Sequence, residues 1–165
     1  MWTNQTCTLT SKDFAILETI HARRHLLADP ARQILKHKLD TAIVVFIEDI
    51  DTNIVTLNTR LRYRIGGSRP QTAIITQGPM DGMVGQCLSL QTARGLAFLG
   101  LTEAASISLP RQDGAVPDRL VIEAILFQPE AARRDRLKQD QARRSLRLVH
   151  SADLDIDPPP DRLRK

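Results

Sequence analysis

The spacing of apolar residues changes once along this chain, from a helical period to a period of two, and that change points to an α+β fold. Ser11 stands where a helix N-cap is expected, and Phe14, Leu17, Ile20 and Arg24 then recur at three- and four-residue spacing to about His25. After Leu26-Leu27-Ala28 comes Asp29-Pro30, which supplies an N-cap carboxylate and a proline at the first helical position, where its missing N–H costs nothing. The next stripe is Ile34, Leu35, Leu39 and Ala42. Two helices joined by so few residues are expected to lie side by side as a short antiparallel hairpin over 9–47.

Beyond the β-branched run Ile43-Val44-Val45, residues Val55, Leu57, Thr59, Leu61, Tyr63 and Ile65 alternate with Thr56, Asn58, Arg60, Arg62 and Arg64. This is the pattern of a strand with one wet, partly basic face. Gly66-Gly67 supplies a tight reversal, and Gln71 to Thr76 is the returning strand. Gly78-Pro79 and Asp81-Gly82 mark a loop, followed by a short strand around Cys87 to Leu90 and a helical turn from Arg94 to Leu99 that stops at Gly100. A strand at Ser106 to Leu109, a turn at Gln112-Asp113-Gly114 and a strand from Leu120 to Phe127 complete the sheet. The last strand is apolar on both faces and is expected to be central. The sheet domain thus occupies 48–132, and a charged tail, 133–165, follows Pro129. Its first part, to about Arg147, has helix-forming composition, whereas Asp153 to Pro160 is too polar and proline-rich to order.

With 165 residues and 42% apolar content, the chain can bury one ordinary core. Cys7 and Cys87 are too few for a disulfide framework and have no metal-ligand spacing, which fits a reducing cytoplasm. The N-terminus lacks the basic and apolar segments of a secretory signal, and the longest apolar run, Ala42 to Ile47, is too short for a bilayer, so no membrane partner is expected. Most of the net charge of +4 lies after Pro129, in Arg133, Arg134, Arg136, Lys138, Arg143, Arg144 and Arg147. One function that this distribution allows is a nucleic-acid accessory protein making a weak contact through a basic C-terminal helix.

No enzyme chemistry assembles. His21 and His25 share a helix face at metal-ligand spacing, but His37 on the facing helix falls nearer Glu18, so no third ligand converges and no metal is expected. Gly66-Gly67 is not followed by a helix, and the four histidines lie outside the sheet domain, which excludes a phosphate loop and a nucleophilic triad. No catalytic residue and no cofactor is expected.

Three stretches carry a resemblance. Ile54-Val55-Thr56-Leu57-Asn58-Thr59-Arg60-Leu61 resembles the first strand of the regulator of nucleoside diphosphate kinase (Rnk) family, relatives of the transcript-cleavage factors GreA and GreB. Gly95-Leu96-Ala97-Phe98-Leu99-Gly100-Leu101 resembles that family's short helix, and Phe127-Gln128-Pro129-Glu130-Ala131-Ala132 its closing motif. The resemblance covers roughly Leu9 to Ala132. It implies an FKBP-like twisted antiparallel sheet packed on a short helix, behind a coiled coil shorter than in the Gre factors. It further implies RNA polymerase as partner, bound at the secondary channel, with transcription elongation modulated by competition with Gre-type factors.

The same resemblance assigns sites. The segment Ser89, Leu90, Gln91, Thr92, Ala93 and Arg94 resembles the prong that meets the polymerase rim, with Ala93 where that family commonly has proline, so a less rigid loop is expected. The hairpin tip holds His25 and Asp29. Gre tips carry an acidic pair that helps hold a magnesium ion. Asp29 is alone, its expected work is capping, and Arg24 and His25 repel a cation, so cleavage activity is not expected. The FKBP-like fold also hosts prolyl isomerases, which bind proline among aromatic side chains. Tyr63, Phe98 and Phe127 are expected in the core instead, and the fold alone does not establish that activity.

Overall fold

A computed structural model describes residues 6–79, 87–110 and 116–152, with side chains as far as 145. The chain divides into two compact units, 1–132 and 133–165. The first unit opens with a short strand, β1 (Thr8–Thr10), that runs directly into helix α1 (Ser11–Ala22). A 3₁₀ turn at Arg24–Leu26 reverses the chain into α2 (Asp29–Thr41), which ends at β2 (Ile43–Val45). β1 and β2 pair in parallel, Leu9 opposite Val44, a pairing that the intervening helical hairpin makes possible as a crossover. No apolar pattern signals β1, because three residues are too few to show a period.

Both helices are there for the reason their stripes suggest. Leu17 on α1 and Ile34 and Leu35 on α2 are fully buried, each worth about 1.5–3 kcal/mol in transfer from water. The caps differ from expectation. Thr10, not Ser11, accepts from the Asp13 amide, and Ala28 takes the N-cap position of α2, leaving Asp29 inside the first turn, paired with Arg32. The proline fixes the start of α2 without a side-chain cap.

The remaining strands form one curled, mostly antiparallel five-stranded sheet: β3 (Arg60–Ile65), β4 (Gln71–Thr76), β5 (Cys87–Ser89), β6 (Ser106–Leu109) and β7 (Asp118–Phe127), in the order β5-β4-β3-β7-β6. β4 and β5 are parallel, and every other pair in this sheet is antiparallel. β7 lies between β3 and β6, as its two apolar faces suggest. Gly66, with φ of 52°, makes the β3–β4 reversal. Helix α3 (Ala93–Phe98) packs its buried Leu96, Ala97 and Phe98 into the core that the sheet shares with α2. The two expected loop signals at Asp81-Gly82 and Gln112-Asp113-Gly114 lie outside the described residues.

One strand starts later than the alternation implies. Residues 54–59 turn instead of extending: the Thr59 amide donates to the Thr56 carbonyl, Asn58 has φ of 64°, and Ile54 bridges Thr102. Thr56 therefore does not face water but is buried together with Thr59. Of the three aromatic side chains expected in the core, Tyr63 and Phe98 are buried with ring centroids 5.1 Å apart, whereas Phe127 is half exposed at the end of β7. Helix α4 (Pro129–Ala152) follows the sheet and extends further than the composition of the tail suggests. The proline-rich stretch Asp153 to Pro160 lies outside the described residues.

Candidate functional site

The segment leading into α3 is built from hydrogen bonds to a single serine. Ser89 accepts through its carbonyl from the Thr92 amide and hydroxyl, at 3.0 and 2.7 Å, and through its hydroxyl from the Gln91 amide at 3.1 Å. Thr92 in turn caps the helix, its hydroxyl oxygen accepting from the Gly95 amide at 3.2 Å. Gly95 is required here, because a Cβ would stand 2.1 Å from the Ser89 carbonyl oxygen. These bonds tie down a loop that was expected to be less rigid for having Ala93 in place of proline. The six residues do not share one role. Ser89 and Leu90 are buried, Ala93 is intermediate, and Gln91, Thr92 and Arg94 face solvent. Arg94 stands 3.6 Å from Asp118 on β7.

The hairpin tip lies beside this loop. Thr19, Ile20 and Arg23 from α1, Leu26 and Leu27 from the tip, Gln77 after β4 and Gln91 before α3 line a cleft of about 150 Å³. Leu27 forms part of the core, while Leu26 is 74% exposed. Arg23 makes no ion pair with any described residue. His25 and Asp29 are both exposed at the tip but line no part of this cleft. Among the described residues no group of three histidine, cysteine or acidic side chains is placed to hold a metal ion.

Two buried polar clusters escaped the sequence reading. At the start of α1, Asp13 is 1% exposed. Its Oδ2 accepts from the Leu57 amide at 3.4 Å, and its Oδ1 has no partner among the described residues. Burial, reinforced by the nearby Glu130 carboxylate, pushes the Asp13 carboxyl above its ordinary value. Glu130, at the start of α4, accepts from the Thr56 hydroxyl at 2.6 Å, and Thr56 and Thr59 pair through their hydroxyls at 2.9 Å. Beside them the Gln128 amide donates to the carbonyls of Asp51 and Ile54, both at 2.7 Å. The cluster joins the first helix, the 54–59 turn and the first turn of α4. In the second cluster Lys38 on α2 is 3% exposed, donating to the Leu99 carbonyl at 2.5 Å and lying 3.4 Å from the Cys7 sulfur. Burial lowers the Lys38 pKa, and the neighbouring thiol opposes that shift. The helical spacing of Lys38 from Ile34 and Leu35 was the one available signal that it faces inward.

No protein-family model matches the sequence, and no curated protein matches it significantly. Solved structures do. A prokaryotic transcription elongation factor GreA/GreB from Nitrosomonas europaea is 28% identical, with a TM-score of 0.58 over 74% of this chain and all of its own. GreA factor homolog 1 of Thermus thermophilus and its Thermus aquaticus counterpart align over 74% of this chain at 13% and 14% identity, with TM-scores of 0.38 and 0.36. Among the described residues no helix is long and apolar enough to cross a membrane. In fold, the chain is similar to this GreA/GreB transcription elongation factor structure.

Proposed function

We propose that this protein is a regulator of transcription elongation that binds bacterial RNA polymerase at the secondary channel, in the manner of Rnk, and competes there with Gre-type factors without chemistry of its own. The observation that carries this reading is the 28% identical GreA/GreB structure, all of which is matched by 74% of this chain. The hydrogen-bonded loop before α3 supports it, since it presents Gln91, Thr92 and Arg94 to solvent on a rigid base and needs little further ordering on association.

The test is immobilised core RNA polymerase titrated with the purified full chain. Saturable binding is expected, and the pair of substitutions Gln91→Glu and Arg94→Glu is expected to weaken it by about tenfold or more, equivalent to 1.4 kcal/mol. A folded wild-type chain that shows no saturable binding would overturn the reading. Unchanged affinity in the folded double variant would reject this docking loop alone.

A further inference from the structure

The cleft between the hairpin tip and the loop before α3 is lined by apolar Ile20, Leu26 and Leu27 and by polar Thr19, Arg23, Gln77 and Gln91. We infer that it is a recognition pocket for an acidic and aliphatic segment of the partner protein, taking an aliphatic side chain against its apolar residues and a neighbouring carboxylate on Arg23. The inference rests on the polymerase reading and names the chemistry of the polymerase surface that this protein grips.

Size narrows the occupant. About 150 Å³ is the volume of an engineered cavity that takes up benzene, so one leucine-sized side chain fits where a nucleotide does not. Charge narrows it further. Arg23 and Arg24 stand at the tip and Arg94 at the loop, all exposed. Asp29 is paired with Arg32, and Arg94 with Asp118 on β7, while Arg23 and the exposed Glu18 five residues before it on α1 form no ion pair among the described residues. A partner carboxylate therefore meets an arginine with no ion pair among the described residues, beside a leucine that is 74% exposed. That combination of an apolar socket and an adjacent guanidinium is how a few residues come to dominate an interface. The exposed Gln77 and Gln91 amides can each donate to and accept from an extended backbone passing over the cleft. Gln91 belongs both to this cleft and to the docking loop, so one partner segment spans both.

The experiment compares the full-length wild type with Arg23→Glu, Leu26→Gln and, as control, Arg69→Glu in the exposed β3–β4 connection, on immobilised polymerase at two salt concentrations. Melting temperatures establish that each variant is folded. Arg23→Glu is expected to weaken binding by about tenfold and to flatten its salt dependence, Leu26→Gln by about fivefold, and Arg69→Glu by less than about twofold. If the wild type binds and both cleft variants stay within about twofold of it, the pocket is rejected while the docking reading stands. If the wild type does not bind, both fail together. A parallel titration with a fluorescent single-stranded oligonucleotide adds a further arm: loss of oligonucleotide binding in Arg23→Glu with polymerase affinity intact would assign the cleft to nucleic acid and overturn the proposal.

Discussion

Burial dominates the titration of both Asp13 and Lys38, and their effects on stability run in opposite directions with pH. Asp13 has a raised pKa when folded, so its contribution is fully present below the unfolded value near 3.8 and is lost as pH rises through the folded value. Lys38 has a lowered pKa, so its contribution is present above the unfolded value near 10.5 and is lost as pH falls through the folded value. At neutral pH each charged form carries a desolvation cost. Asp13→Asn keeps an oxygen for the Leu57 amide and places a donor in the field of Glu130. It is expected to raise stability at pH 7 by about 1 kcal/mol, a few degrees in melting temperature, and to remove the decline above pH 3.8. Lys38→Met is expected to remove the rise on the alkaline side, at the expense of the bond to the Leu99 carbonyl. Urea titrations of both variants across pH test this, and unchanged pH profiles would refute it. Neither group could be recognised as buried from composition, because the contacts that bury them come from segments 44 and 61 residues away.

At the scale of elements, the join between β5 and α3 is where local bonding is most concentrated. Thr92 both caps the helix and donates to Ser89, so Thr92→Ala is expected to cost about 1 kcal/mol. Gly95→Ala meets the backbone, not a movable side chain, and is expected to cost about 2–3 kcal/mol. Equilibrium unfolding in urea separates the two, and a Gly95→Ala variant as stable as wild type would contradict this packing. The helices, β4, β6 and the central position of β7 were legible because each has a period or a breaker that acts locally. The parallel pairs β1–β2 and β4–β5 were not, since their partners are set by tertiary packing over three-residue strands. The 54–59 turn misled for a related reason: alternation of apolar and polar residues is shared by a strand and by a turn whose threonines find buried hydroxyl partners.

For the molecule as a whole, what was least legible was convergence. His25 and Asp29 are exposed at the tip, and the cleft is lined by Arg23, Leu26 and Leu27 from that tip together with Gln91 from the loop. Their proximity follows from α2 packing on both α1 and α3, a relation between segments some 60 residues apart that no local pattern reports. The hydrophobic stripe of α1 did place Ile20 on the inward side, but Leu26 reads equally well as core and is largely exposed.

The same geometry argues against transcript cleavage. Holding a catalytic magnesium ion takes several oxygen ligands, and the tip offers the single carboxylate of Asp29, already paired with Arg32 and preceded in sequence by the cationic Arg23 and Arg24. Reach opposes it as well: α1 has 12 residues and α2 has 13, so each arm extends about 18–20 Å, and the tip lies against the sheet domain's own loop. On the proposed reading, so short a hairpin would occupy the channel entrance without delivering carboxylates to a distant active site. With the full chain added to backtracked elongation complexes in magnesium, RNA length is expected to stay unchanged over a time in which a Gre factor shortens it. When both are present, cleavage by the Gre factor is expected to slow as the chain's concentration rises. Magnesium-dependent shortening by this chain alone would show that other residues complete the metal site. Undiminished Gre cleavage at saturating concentrations would show that the two do not share a binding site.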